Sequence, residues 1–167
     1  MDVAELLADG YARIAQSVAK ALDGVGEALT WQPDPDANTI AWLIWHLTRV
    51  QDDHVSEVAG VDQEWTAGGW AARMALPLAD AETGYGHSAE QMRAVRAAPE
   101  LLAGYHQAVS ERTIAWVGSL AAADLDRIVD TRWDPPVTLG VRLVSVLNDD
   151  MQHVGQAAYL RGLAERR

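Results

Sequence analysis

A chain of 167 residues is long enough for one well-buried core and short for two. Its 24 acidic against 13 basic residues give a formal charge of −11, which argues against nucleic-acid phosphates and anionic membrane surfaces as partners. No cysteine is present, so disulfides, thiolate metal sites and a cysteine nucleophile are all excluded.

The first predicted element is a helix from about Val3 to Leu22. Asp2 is placed to cap it, Leu6, Leu7, Ala15, Val18 and Leu22 recur at helical spacing, and Gly24 and Gly26 end it. Trp31-Gln-Pro-Asp-Pro-Asp-Ala-Asn38 reads as a connector, because its two prolines disfavour a helix interior. Asn38 or Thr39 starts a second helix that runs to about Ala59, with Ile40, Leu43, Ile44, Leu47, Val50 and Val58 apolar. From Gly60 to His87 the periodicity weakens and glycines punctuate it, so a long crossover is expected, with one helical turn near Trp70–Met74. Ser88-Ala-Glu-Gln91 has capping-box form and opens a short helix to about Ala97. Pro99 and Glu100 suit the first turn of a third long helix, to about Leu120. One turn is expected within Asp124–Arg132. Thr138 caps a last long helix, Leu139 to about Leu163. Ile128-Val129 and Pro136-Val137-Thr138 are too short to predict strands. The expectation is an all-α chain, one domain over residues 1–167, built as a four-helix bundle with a long crossover between the second and third long helices.

Met1-Asp-Val-Ala-Glu-Leu does not read as a signal peptide, and no apolar stretch reaches membrane-spanning length, so a soluble, cytoplasmic protein is expected.

The chemistry concentrates on two helices. His46 lies three residues after Leu43 and four before Val50, on the apolar face of the second helix. Asp149 and His153 are four apart on the last helix and project from one side, in line with Val146, Ala157 and Leu160. If these helices face each other, two imidazoles and one carboxylate form a three-ligand site with open positions. Such a set suits zinc, iron, nickel or manganese without choosing among them. Charged groups on a buried face need compensation. A salt bridge from Asp149 or Asp150 to Arg49 or Arg142, or ordinary hydrogen bonding, would also supply it.

The chain resembles the DinB-like superfamily over essentially its full length, including the branch of metal-dependent thiol S-transferases that use mycothiol or bacillithiol. The resemblance rests on Thr39-Ile-Ala-Trp-Leu-Ile-Trp-His-Leu47, Gly84-Tyr-Gly-His-Ser-Ala-Glu-Gln91, Val137-Thr-Leu-Gly-Val-Arg-Leu143 and His153-Val-Gly-Gln-Ala-Ala-Tyr-Leu-Arg-Gly162. It implies three histidine ligands, one on the second helix and two, four apart, on the last. His46 and His153 match; Asp149 stands where the resemblance implies a histidine. The implied activity is transfer of a low-molecular-weight thiol to an electrophilic small molecule at a divalent metal. The alternative is a non-catalytic bundle with a degraded metal site that binds a small molecule or partner. Asp150 and Asp53 are candidate bases beside the ligands. Resemblance also implies a homodimer, and the seven tryptophans provide for an apolar interface.

Among the remaining candidates, His54 could line the same cavity as His46. His87 fits a pocket mouth or, more simply, a turn or cap. His106 reads as an ordinary mid-helix residue. Trp42, Trp45 and Trp70 fit a pocket wall or plain core. Gly155 suits close helix approach, and Gln156 a hydrogen bond to a ligand histidine.

Overall fold

The computed structural model describes residues 1–167 and is mostly helical. Four helices are long: α1 (Val3–Leu22), α2 (Ile40–Ala59), α6 (Pro99–Val117) and α7 (Leu139–Ala164). Between α2 and α6 lie three short ones: α3 (Glu64–Ala67), α4 (Trp70–Met74) and α5 (Ala89–Ala94). The long helices pack α2 on α7 and α1 on α6, and the two pairs close through α2–α6 and α1–α7 contacts. A single cluster of 33 buried apolar residues runs through all four. No helix is long and apolar enough to cross a membrane.

Local chemistry sets the helix starts. The Asp2 side chain accepts from the Glu5 amide while the Glu5 carboxylate accepts from the Asp2 amide, both at 2.9 Å. Thr39 and Thr138 accept from the amides of Trp42 and Val141, and Ser88 with Gln91 forms the predicted capping box. Gly60 ends α2 in the left-handed conformation, where a side chain would be strained.

Three expectations change in the folded chain. In α1 the buried stripe is Tyr11, Ile14, Val18 and Leu22: Val18 and Leu22 are buried as their spacing suggests, but Leu6 faces solvent and Tyr11 and Ile14 join the core, because α1 packs against both α6 and α7. Ile128–Asp130 (β1) and Val137–Thr138 (β2), too short to predict, form an antiparallel pair. Two anchors hold that pair. The Leu139 amide donates to the Arg127 carbonyl at 2.8 Å, and the buried Asp130 carboxylate receives both Arg132 and Arg142. The third change is α3, in a stretch expected to be loop. Asp52 of α2 caps it from outside, accepting from the Glu64 and Trp65 amides at 2.9 and 2.8 Å.

α2 is enclosed on every side from Ile40 to Arg49, so its polar residues must be satisfied internally. Arg49, fully buried, does this for the crossover. Its guanidinium donates to the carbonyls of Asp80 and Glu82, to Gln63 Oε1 and to the Tyr105 hydroxyl, and lies over the Trp65 ring. Asp52 accepts from Tyr105 and Arg112 in the same network.

His106, buried on α6, shares a hydrogen bond with Thr48 Oγ1 at 3.1 Å. The Thr48 hydroxyl donates to the Ile44 carbonyl, so the imidazole Nδ1–H is the donor to it. Burial pushes the His106 pKa down to about 4. As pH falls below 6.5 the unfolded chain takes up a proton that the folded chain refuses. Stability from this group is therefore complete above 6.5 and is lost as pH falls toward 4. Between pH 7.5 and 4, urea unfolding of the parent should lose about 3 kcal/mol more than unfolding of His106→Gln. Equal losses in the two proteins would remove His106 as an acid-sensitive point.

Candidate metal centre

α2 and α7 run antiparallel: His46 meets His153 at one level, while His54 and Glu57 meet Arg142 further along. This packing brings His46, Asp149 and His153 together with one ligand atom from each within 4.8 Å of the others. Donors around a zinc-sized ion at ~2.1 Å stand roughly 3.4 Å apart, so the trio would have to close up to hold such an ion. His46 is buried, and Asp149 and His153 are half-buried, which leaves one side open.

Each histidine has one nitrogen committed and the other free. His46 Nδ1 lies 2.5 Å from the Thr83 carbonyl, which can only accept, so Nδ1 carries the proton and Nε2 is left with its lone pair. His153 Nδ1 donates to Gln156 Oε1 at 3.2 Å, and its Nε2 stands 3.6 Å from Asp149 Oδ1. An outer hydrogen bond that fixes the tautomer and ring plane is the usual support of a metal-ligating histidine. The His46 ring is also stacked on Trp42, with centroids 4.6 Å apart and planes at 14°. Burial, the largest influence, lowers the His46 pKa, while the Thr83 bond opposes it; the neutral ligand form is favoured.

The salt-bridge alternative for the α7 carboxylates is not realised. Arg49 is spent on the crossover, and Arg142 pairs with Glu57 at 2.6 Å and with Asp130. Asp149 has no partner but His153, and its Oδ2 is buried with no hydrogen bond at all. A cation between the three side chains would satisfy it, so the residues present fit a divalent metal. Asp150 is outside the trio. It is fully buried, both its oxygens lack partners, and burial, then the Asp149 charge, hold its pKa well above the usual carboxylate range.

The crossover supplies what sequence reasoning missed. Thr83 contributes only a backbone carbonyl, and the one hint was the adjacent glycine. Gly84 sits at φ +101°, and a Cβ there would lie 2.5 Å from His46 Nδ1 and 3.2 Å from Trp42 Cζ2. Gly84→Ala should therefore turn the ring and weaken zinc or nickel binding roughly 10–100-fold, as loss of an outer hydrogen-bond partner does. Unchanged binding by calorimetry would show that the ring has room. His87 closes a turn, its amide donating to the Gly84 carbonyl at 3.2 Å. It is buried behind the site, where it accepts from Trp42 Nε1 at 3.2 Å and donates to Glu82 at 2.8 Å. Trp45 is core, stacked on His87, and Trp70 packs over Gly104. Gln156 behaves as expected. Gly155 does not: nothing in the chain comes within 4 Å of where its Cβ would be.

Beyond His46 along α2, Asp53 and His54 line a cavity of about 790 Å³ with Glu57, Gln63, Asp80 and Arg132. His54 lies 3.2 Å from Arg142 Nη1, and Asp53 accepts from Gln63 at 2.7 Å.

Residues 11–157 match the family model described as the DinB superfamily. The chain belongs to the DinB superfamily. A crystal structure of a conserved protein from Enterococcus faecalis is similar to it at 31% identity, with a TM-score of 0.91 over 100% of this chain and 99% of that one. No curated protein matches. A DinB fold with a His/Asp group able to hold a metal ion on α2 and α7 is thus what sequence and structure jointly establish.

Proposed function

We propose that this DinB protein is a divalent-metal-dependent enzyme that transfers a low-molecular-weight thiol of the mycothiol type to an electrophilic small molecule, on a four-helix bundle. The observation that carries the reading is the pair of imidazoles with Nδ1 anchored and Nε2 free, beside a carboxylate oxygen that has no partner in the protein. When bound, a divalent ion supplies positive charge that favours thiolate over thiol. His46 and His153 bring neutral nitrogens, and Asp149 brings the one negative charge. Trp42 and the Thr83 carbonyl fix the plane of His46, so little reorganisation is needed. The reaction forms a sulfur–carbon bond; the thiol proton departs to a base and the carbon's leaving group takes the bonding pair. Of the two candidate bases, Asp53 is partly exposed on the cavity further along α2 and open to a solvent-borne thiol, whereas Asp150 is enclosed. The cavity lining carries Asp53, Glu57, Asp62 and Asp80 against the single cation Arg132, a balance that favours neutral or cationic substrates over anionic ones.

Asp149 in place of a histidine keeps a second reading open, a non-catalytic bundle with a weakened site. Metal content separates the two. After mild purification and reloading, the proposed enzyme retains close to one equivalent of a transition metal and consumes a neutral electrophile with a leaving group, such as an activated aryl halide, only when a thiol is supplied. Retention below about a tenth of an equivalent overturns the metal reading, because a specific site regains its ion. Turnover without thiol overturns the transferase reading alone.

A further inference from the structure

His106 and Ser110 stand about one turn apart on α6, and each is only 2% exposed. Thr48 takes the Nδ1 hydrogen of His106, which leaves Nε2 with a bare lone pair. That Nε2 has no hydrogen-bond partner in the protein, and neither has Ser110 Oγ. Buried polar atoms are nearly always paired, and the metal centre makes no use of these two. Both residues line a cleft of about 300 Å³ between α1 and α6. Its α1 wall carries Ala12, Ala15 and Ala19 at helical spacing, and Ala103 and Ile114 line the α6 side. Short side chains here keep the two helices from filling the space between them. Glu111 is the one acidic or basic side chain on the lining; it is exposed at the rim and accepts from Gln107 at 2.8 Å.

We propose that this cleft binds a small neutral phenol, with its ring against the α1 alanines and its hydroxyl donating to His106 Nε2 and accepting from the Ser110 hydroxyl. The lining selects that class. Nε2 can only accept, so the ligand must bring a hydrogen. No lysine or arginine lines the cleft and an acid stands at its rim, so an anion has nothing to offset its charge. A volume of about 300 Å³ is at the small end of ligand pockets, which suits a single ring. Packed helices leave a narrow gap between them, which suits a flat one. Burial holds the His106 pKa down at about 4, so the imidazole stays neutral and a phenol, with an ordinary pKa of about 10, keeps its hydrogen. The ligand supplies partners to two buried atoms that lack them, the setting in which a hydrogen bond discriminates most. None of the metal-centre residues takes part, so the site stands whether or not a metal binds.

The test is an NMR titration of the full chain with para-ethylphenol, followed at the histidine ring nitrogens. The phenol binds saturably and shifts His106 Nε2, while the rings of His46 and His153 stay in place. Its methyl ether, which lacks the hydrogen, and ethylbenzene, which lacks the oxygen as well, bind about ten-fold more weakly or worse. The saturated analogue para-ethylcyclohexanol, a puckered alcohol of the same size, also binds more weakly. Ala15→Leu fills the slot and abolishes binding without touching either polar atom. Ser110→Ala removes an unpaired hydroxyl, so it melts at an unchanged or higher temperature; it loses affinity for the phenol but not for ethylbenzene. His106→Phe keeps a ring and erases the preference for the phenol over ethylbenzene. No saturable binding below about 1 mM overturns the proposal. Equal affinities for the phenol and its methyl ether, or for the phenol and the saturated alcohol, overturn it as well. So do shifts at His46 and His153 in place of His106, and undiminished binding by Ala15→Leu.

Discussion

Alanine at His46, Asp149 or His153 lowers zinc or nickel affinity by more than the roughly 100-fold that an outer hydrogen-bond partner is worth. Each would be one of three protein ligands in the proposed site. The two histidines and the aspartate then diverge in the metal-free protein. His46 is packed against Trp42 and the crossover, so His46→Ala leaves a hole and destabilises. Asp149 holds a buried oxygen with no partner, so Asp149→Asn leaves the metal-free melting temperature unchanged or higher. With metal at about 100 times its Kd the parent gains about 2.7 kcal/mol, a rise of roughly 5–10 °C. Asp149→Asn gains little of this. Asp149→His recovers it, by restoring the three-histidine set the resemblance implies. Differential scanning fluorimetry with and without zinc, paired with a chelator competition titration, reads both halves. A variant that binds as tightly as the parent does not belong in the site.

Arg49→Met costs about 3–5 kcal/mol, because it leaves Asp52 short of a buried counter-charge and strips donors from four groups enclosed with it. For a chain of this length that is a fall in melting temperature of roughly 10 °C. The same change loosens the crossover on both sides of Thr83, since Arg49 holds the Asp80 and Glu82 carbonyls. Metal affinity therefore falls although Arg49 touches no ligand. Arg49→Lys keeps the charge but loses the planar fork, and recovers less than half of either loss. If Arg49→Met melts like the parent and binds metal like it, the crossover is held by something else.

The same residues show how far the sequence reaches. The helix starts at Asp2, Thr39, Ser88 and Thr138 are legible because a cap is a contact within three residues. The Asp149–His153 pair is legible because four-residue spacing on a helix places two side chains on one side. The α1 stripe is legible at Val18 and Leu22 but not at Leu6, Tyr11 and Ile14: aliphatic residues lie on more than one side of α1, and only the neighbouring helices decide which are covered. β1, β2 and α3 were not legible. β1 is held by Arg142 and α3 by Asp52, each beyond the three- or four-residue reach of a helix or cap pattern, so no local pattern encodes such a partner.

By itself the sequence determined the helical class, the caps, the DinB resemblance and the three candidate ligands, because all of these are written in short-range spacing and residue type. The tertiary structure decided that Arg49 and Arg142 are engaged elsewhere, that Asp149 is left without a partner, and that a backbone carbonyl from the crossover sets the tautomer of His46. Those outcomes depend on which groups compete for the same partner in three dimensions. A carbonyl oxygen is common to every residue, so nothing in the residue names could single out Thr83.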